Sequence, residues 1–317
     1  MLNTPVLFLI FNRPLHTQKV FEQIRIVKPK RLFISADGPR IGVETDIENC
    51  SQTRSWVLHH IDWDCEVKTL FSEFNLGCGV APAKAITWFF ENVEEGIILE
   101  DDCLPNSYFF GYCAELLALY RDERMVMHIS GNNFQDGRKR GAASYYFSAY
   151  GHIWGWATWR RSWAEFEYSI RDFDRDGLLV NFKDYGFNRR EREFWIATLE
   201  NMRETRPTDI WDYQWSYALW QNAGVCILPN ENLVVNIGFG SDATHTKMIP
   251  QYYTGMRNGK MDTLVHPPQI IVDTEADHYT FKMHLHVRDS FYRRLKNKLI
   301  LNSSIRLLYE KTKKLRE

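Results

Sequence analysis

An α/β fold, a mixed sheet flanked by helices, is the class this sequence predicts, on three observations. Four apolar runs, "PVLFLIF" (5–11), "RLFISAD" (31–37), "CEVKTLF" (65–71) and "GIILE" (96–100), have the length of strands and are bounded by turn residues. Segments with apolar residues at helical spacing separate them, which is the rhythm of a parallel sheet. Polar residues follow each run: Asn12 and Arg13; Asp37 and Gly38; Asn75, Gly77 and Gly79; Glu100, Asp101 and Asp102. In open sheets ligands sit outside the carboxyl ends of the strands, so these four turns should converge on one crevice.

The elements follow in order. After the first run, Pro14 suits a first helical turn, and Val20, Phe21 and Ile24 would face inward. Between the second and third runs, Ile47, Cys50, Val57, Leu58 and Ile61 fall at helical spacing; "NLGCGVAPAKAITWFFENVE" then leads from a Gly-rich turn into a helix. Beyond the acids, 107–121 reads as helix and 144–151 as strand. "WGWATWRRSWAEF" and "DYQWSYALWQNAG" read as helices, and "VCILP" and "NLVVNI" as short strands. The expected division is a catalytic domain over 1–250 and a C-terminal extension over 251–317 that ends in a basic amphipathic helix.

Composition narrows the partners. The 317 residues are 44% hydrophobic, enough for a sizeable core, and the formal net charge of −1 gives no global field for a nucleic acid. The opening apolar run is too short to span a bilayer and lacks a leader's basic start, so it is expected to be a buried strand of a cytoplasmic protein. Six scattered cysteines without a C-x-x-C pair argue against a zinc cage or disulfide framework and for buried thiols. Aromatic residues at 15% are common where flat ligands are stacked.

Three adjacent carboxylates at the end of a strand suit a hard divalent cation, Mg²⁺ or Mn²⁺, which bridges one or two carboxylates to substrate phosphates. The alternative is an acidic loop that caps the next helix through Asp102 or Asn106.

"PVLFLIFNRP", "FISADGPR", "NLGCGVAPAKAITWFFE", "GIILEDDCLPNSYFFGYCAELL" and "WGWATWRRSWAEFE" together resemble the nucleotide-sugar transferases of GT-A type, with a Rossmann-like sheet. The likeness, in order from residue 5 to about 245, is to the N-acetylglucosaminyltransferase I family and its bacterial relatives, some labelled haemolytic protein. It implies that Asp102 ligates the metal and that Glu100 and Asp101 lean toward base and ribose. Arg13 would meet the diphosphate or base, against a surface salt bridge. Asp37 would accept from a uracil-like ring, against a plain turn residue. Asn12, Asn75, Gly77 and Lys84 would complete the donor site, with the glycines of "NLGCG" admitting a ligand close to the backbone.

The resemblance continues in "TDIWDYQWSYALW", where it makes Asp212 the base that deprotonates the acceptor, with Asp209 in reserve. Helix chemistry alone would have Asp209 cap the helix and Asp212 satisfy its first turn. His245 in "GFGSDATHT" would return to the metal or diphosphate, against a solvated loop histidine, and Asp242 is read in the same way. Trp154 and Gly155 would form an acceptor-sugar platform, whereas Trp156, Trp159 and Trp163 fit core packing on a helix. The tail from Arg293, basic among Leu and Ile, could lie on the inner face of a membrane or be a solvated helix.

The function implied is metal-dependent, inverting transfer of a sugar from a nucleoside diphosphate donor, a UDP-sugar favoured, to a glycan or lipid-linked saccharide acceptor in bacterial surface-polysaccharide assembly. The rivals are a sugar nucleotidyltransferase and a non-catalytic nucleotide- or sugar-binding module.

Overall fold

The structure is a computed structural model that describes residues 1–239, 259–261 and 263–285. The chain divides into two compact units, Met1–Asp277 and His278–Glu317. The site described below lies wholly in the first. Residues after 250 bond within this unit: Asn106 Nδ2 donates to the Gly259 carbonyl at 2.9 Å and Asp273 N–H to the Phe147 carbonyl at 2.8 Å.

The four expected runs form β1 (Val6–Ile10), β2 (Arg31–Ala36), β3 (Glu66–Phe71) and β4 (Glu95–Glu100), all parallel. Helices α1 (Pro14–Val27), α2 (Glu44–His59) and α3 (Gly77–Asn92) connect them. A short β5 (Cys103–Pro105) and α4 (Phe109–Leu119) follow, then β6 (Val126–Ser130), β7 (Tyr145–Ser148), β8 (Trp156–Trp159) and the single turn α5 (Arg160–Trp163). Three helices, α6 (Arg175–Asp184), α7 (Arg189–Thr205) and α8 (Asp212–Gln221), precede β9 (Val225–Pro229) and β10 (Val234–Asn236); α9 (Thr274–Thr280) and a π-helical turn (Phe281–Leu285) close the described elements. Eight strands form one mixed sheet in the order β3-β2-β1-β4-β8-β6-β9-β7, while β10 pairs antiparallel with β5. The α/β class with helices on a mixed sheet is therefore the fold.

Register positions the site. Leu9 lies opposite both Ser35 on β2 and Glu100 on β4, so the chain leaves all three strands at one edge. Arg54 of α2 fastens that edge from outside, donating to the carbonyls of Asp37 (2.9 Å) and Ser72 (2.8 Å).

The stretch expected to be a helix from residue 154 is a strand in its middle. Trp156–Trp159 runs antiparallel between β4 and β6, and only Arg160–Trp163 turns helically. Side chains alternate across a strand, so Trp156 and Trp159, three apart, face opposite sides of the sheet. Trp156 packs against Trp211 (5.8 Å) and Trp215 (5.8 Å), whereas Trp159 Nε1 donates to the Leu117 carbonyl of α4. The core role expected for Trp156, Trp159 and Trp163 holds, but helical periodicity is not its cause. Trp156, Trp159, Trp215 and Trp220 are among the largest fully buried side chains, so much of the aromatic content serves the core. All six cysteines are free; Cys50, Cys103, Cys113 and Cys226 are buried, Cys65 is half-buried and Cys78 is exposed.

Candidate functional site

At the shared edge of β1, β2 and β4 lies a cleft of about 530 Å³, in the size range of small-molecule sites. Arg13, Asp37, Asn75 and Gly77 line it together with the acidic triplet, and Trp154, Asp209 and Asp212 close it from the second half of the chain. Most of the residues singled out in the sequence, drawn from positions two hundred apart, thus meet in one concavity.

The triplet divides its work. Asp101 is 7% exposed and accepts the Phe11 N–H at 3.1 Å, which ties the end of β4 to the end of β1. Asp102 faces Arg13, whose Nη1 lies 2.8 Å from Asp102 Oδ2 and 3.9 Å from Asp101 Oδ1. This pair is internal, with side chains 15% and 18% exposed, not the surface salt bridge that was the alternative for Arg13. Asn236 Nδ2 donates to Asp102 Oδ1 at 3.3 Å, and Ile237 N–H to the Asp102 carbonyl at 2.8 Å, so the chain after β10 forms a strap across the acids. Asp102 caps no helix; Asn106 does the local work, accepting the Tyr108 N–H at 3.0 Å.

Three carboxylates against one guanidinium leave uncompensated negative charge in a desolvated place. Burial first, then the charges of Asp102 and Asp101, push Glu100 up to about 8. Burial and the charge of Asp102 push Asp101 up to about 7. Such a site favours the arrival of positive charge. Among the described residues no three His, Cys, Asp or Glu side chains converge as a complete cage. Asp102, which lines the cleft with its side chain 18% exposed, is the member of the triplet that could offer an oxygen to a cation shared with a ligand.

The strap approaches closely. A Cβ on Gly238 would sit 2.1 Å from Asp102 Oδ2, where no real contact is tolerated. Gly238→Ala is expected to displace the Asp102 carboxylate and, if that carboxylate takes part in Mn²⁺-dependent nucleotide binding as proposed below, to lower the affinity by about tenfold or more, the equivalent of an overpacking strain of about 1–3 kcal/mol. Calorimetric titration, with circular dichroism to show an unchanged fold, checks this; unchanged affinity would mean the strap yields freely.

Asp37 is occupied. Its oxygens accept from Gly38 N–H (2.8 Å), Asn75 Nδ2 (2.9 Å), Leu76 N–H (2.8 Å) and Gly77 N–H (3.0 Å). Four donors match the acceptor capacity of a carboxylate, so Asp37 anchors the entry of α3 to the end of β2, and a base would compete with the protein for it. Burial pushes its carboxyl up from the ordinary value, while the backbone donors pull it down. Gly77, with φ of +85°, meets the backbone demand of this turn. Gly79 serves packing and not a ligand: a Cβ there would lie 2.5 Å from the Thr208 carbonyl and 2.6 Å from Ile210 N, so it lets α3 abut the segment that leads into α8.

Three expected site residues do not line the cleft. Asn12 Nδ2 donates to the buried Asp46 at 2.6 Å. Lys84 is exposed on α3, whose buried residues Ala83, Ala85 and Ile86 face the other way. Gly155, with φ of +62°, packs against Val234 and Leu99 and accepts the Gly131 N–H through its carbonyl at 2.8 Å. Trp154 does line the cleft, edge-on to Phe134 (5.3 Å) and Phe239 (5.8 Å). His245, Asp242 and the tail from Arg293 lie outside the described residues.

Asp212 opens α8. The N-cap is Trp211, which makes no side-chain capping bond, so Asp209 does not cap this helix. Asp212 lies near enough to Glu100 for its charge to raise that group's pKa, which puts it across the cleft from the triplet. A core network fixes α8 behind it. Trp215 Nε1 donates to His128 Nδ1 at 3.1 Å, and His128 Nε2 lies 3.1 Å from the His152 carbonyl, which sets the neutral tautomer with its proton on Nε2. Burial holds His128 down at about 4, so it stays a neutral structural hinge-pin at physiological pH.

Sequence reading passed over Arg40. It lines the cleft, and its Nε and Nη2 donate to Asp46 at 2.6 and 2.9 Å. The arginine of "ADGPR" was visible, but its buried partner lies within α2 and carries no motif.

No family model matches the chain, and no curated protein matches it. Among solved structures it is similar to HddC from Yersinia pseudotuberculosis, with 9% identity and a TM-score of 0.29 over 50% of this chain and 78% of that one. A second structure, HddC complexed with GMP-PN, gives 10% identity and a TM-score of 0.30 over 54% and 80%. At these values the likeness bears on neither the family nor the chemistry of this chain, which rest on the residues themselves.

Proposed function

We propose that the protein is a cation-dependent, inverting glycosyltransferase of GT-A type, acting from a nucleoside diphosphate sugar onto a glycan or lipid-linked saccharide. The observation that carries this reading is the meeting, in one cleft, of the strand-end triplet Glu100-Asp101-Asp102 with Arg13 on one wall and Asp212 on the other.

Under this reading Asp102 would hold Mn²⁺ or Mg²⁺, which when bound would supply positive charge against that developing on the leaving diphosphate. Arg13 adds a second positive charge at the same end. Asp212 takes the proton of the acceptor hydroxyl while its oxygen bonds to the anomeric carbon. The bond from that carbon to the diphosphate breaks, its electron pair leaves with the diphosphate, and direct attack from the opposite face inverts the centre. Trp154 and Phe239 offer the apolar wall on which a sugar ring could lie.

The test is a thermal-shift panel of nucleotide sugars with and without Mn²⁺, followed by product analysis of the hits. Stabilisation that disappears on chelation and in Asp102→Ala, with nucleoside diphosphate as the product, is the expected result. Pyrophosphate released from a nucleoside triphosphate would make the chain a nucleotidyltransferase, and binding without turnover would make it a binding module.

A further inference from the structure

The sheet order β3-β2-β1-β4 puts the turns after β2 and β3, which bring Asp37, Arg40 and Asn75 to the cleft, across β1 from the strand that carries Asp102. If the diphosphate lies at Asp102, as proposed above, that side of the cleft faces the nucleoside. Asp37 has its oxygens engaged by four protein donors, so the polar atoms left to read a base belong to its neighbours.

Arg40 is one. Its side chain is 51% exposed, yet Nε and Nη2 are locked onto Asp46, which is itself 1% exposed, and the guanidinium lies 5.7 Å from the centre of the Phe11 ring. The Arg40 guanidinium beside Asp46 holds that carboxyl down at about 2, so the brace persists across physiological pH. Five N–H groups project from a guanidinium, and two bonds to Asp46 leave the others for a ligand. Asn75 is the other. Both its Nδ2 protons have acceptors, Asp37 Oδ2 at 2.9 Å and the Gly38 carbonyl at 2.9 Å, which fixes the amide orientation and leaves Oδ1 as its remaining acceptor. The two side chains belong to touching turns, since Gly38 packs directly on the Phe74 backbone.

We infer that Arg40 and Asn75 form a donor–acceptor pair that selects bases presenting a carbonyl next to a ring N–H, the pattern of uracil and guanine, over cytosine and adenine. A carbonyl oxygen would accept from Arg40 while the ring N–H donates to Asn75 Oδ1. An exocyclic amino group in the carbonyl's place would meet the guanidinium donor to donor.

The experiment is calorimetric titration of UDP, GDP, CDP, ADP and pyrophosphate, each with Mn²⁺, into the wild type, Arg40→Ala and Asn75→Ala. A single mismatched hydrogen-bonding pair is worth about tenfold or more, so the wild type should prefer UDP or GDP over CDP and ADP by that factor. Each variant should lose about that factor for UDP or GDP, with CDP, ADP and pyrophosphate nearly unchanged. Pyrophosphate, which has no base, monitors the fold and the phosphate end in the variants. Equal losses for all nucleotides, or no preference in the wild type, would overturn the inference while leaving the transferase reading intact. Failure of every diphosphate to bind the wild type would overturn both.

Discussion

Asp212→Asn is expected to slow sugar transfer by about 10²–10⁴-fold while Mn²⁺-dependent binding of the donor nucleotide stays within about a factor of two. Asparagine keeps the shape of the side chain and cannot take a proton, so the loss should fall on turnover. The backbone has no reason to move. Trp211, immediately before the residue, stacks on Trp156 at 5.8 Å, and Trp215, one turn later, is bonded to His128 at 3.1 Å. Asp209→Asn is the control: that residue is exposed, caps nothing in α8, and should transfer at close to the wild-type rate. Single-turnover kinetics with the donor identified by thermal shift separates the cases. Normal turnover in Asp212→Asn moves the base elsewhere, and loss of nucleotide binding would assign Asp212 to the donor site instead.

How far the molecule could be read from its sequence depended on how local the physics was. The first four strands were legible because each is a short apolar run ended by turn residues; β1, β2 and β4 are the largely buried parallel strands that give this pattern, while β3 lies at the sheet edge. β8 was not, since its four residues are all buried in the middle of the sheet and the tryptophans at 156, 159 and 163 mimic helical periodicity. β6, "VMHIS", was missed for a related reason: His128 breaks the apolar run, and what makes it acceptable in the core is Trp215, far along the chain. The candidate site divides the same way. Position at a strand end predicted that Arg13, Asp37, Asn75 and the triplet would meet. Position could not say which atoms would remain available, because Asp37 is engaged by donors some forty residues away and Arg40 is braced from a helix with no motif.

Stability should record the buried acids. Without a cation, Glu100 at about 8 and Asp101 at about 7 stand above the ordinary values of 4.5 and 3.8 that they regain on unfolding. Between those limits the folded protein binds more protons than the unfolded chain. Unfolding then releases protons, so stability is greatest at the acid end of the window and falls as pH rises from about 4 to about 8. The two groups interact, so the loss belongs to the cluster and is on the order of a few kcal/mol. Asp277, pushed up to about 7 by burial beneath Ser148 and Ala149, slopes in the same direction, but it belongs to a separate network. A divalent cation at Asp102 would distinguish the two contributions, since it compensates the ionised triplet and leaves Asp277 untouched. The melting temperature of the chelated protein should therefore fall between pH 5.5 and pH 8, and the increment gained on adding Mn²⁺ should be larger at pH 8, where protons no longer compete for the carboxylates. In Asp102→Ala that increment should vanish at both pH values, whereas Asp277→Asn should flatten the chelated profile and keep the increment. An Mn²⁺ increment independent of pH, or one that survives in Asp102→Ala, would place the cation away from the strand end.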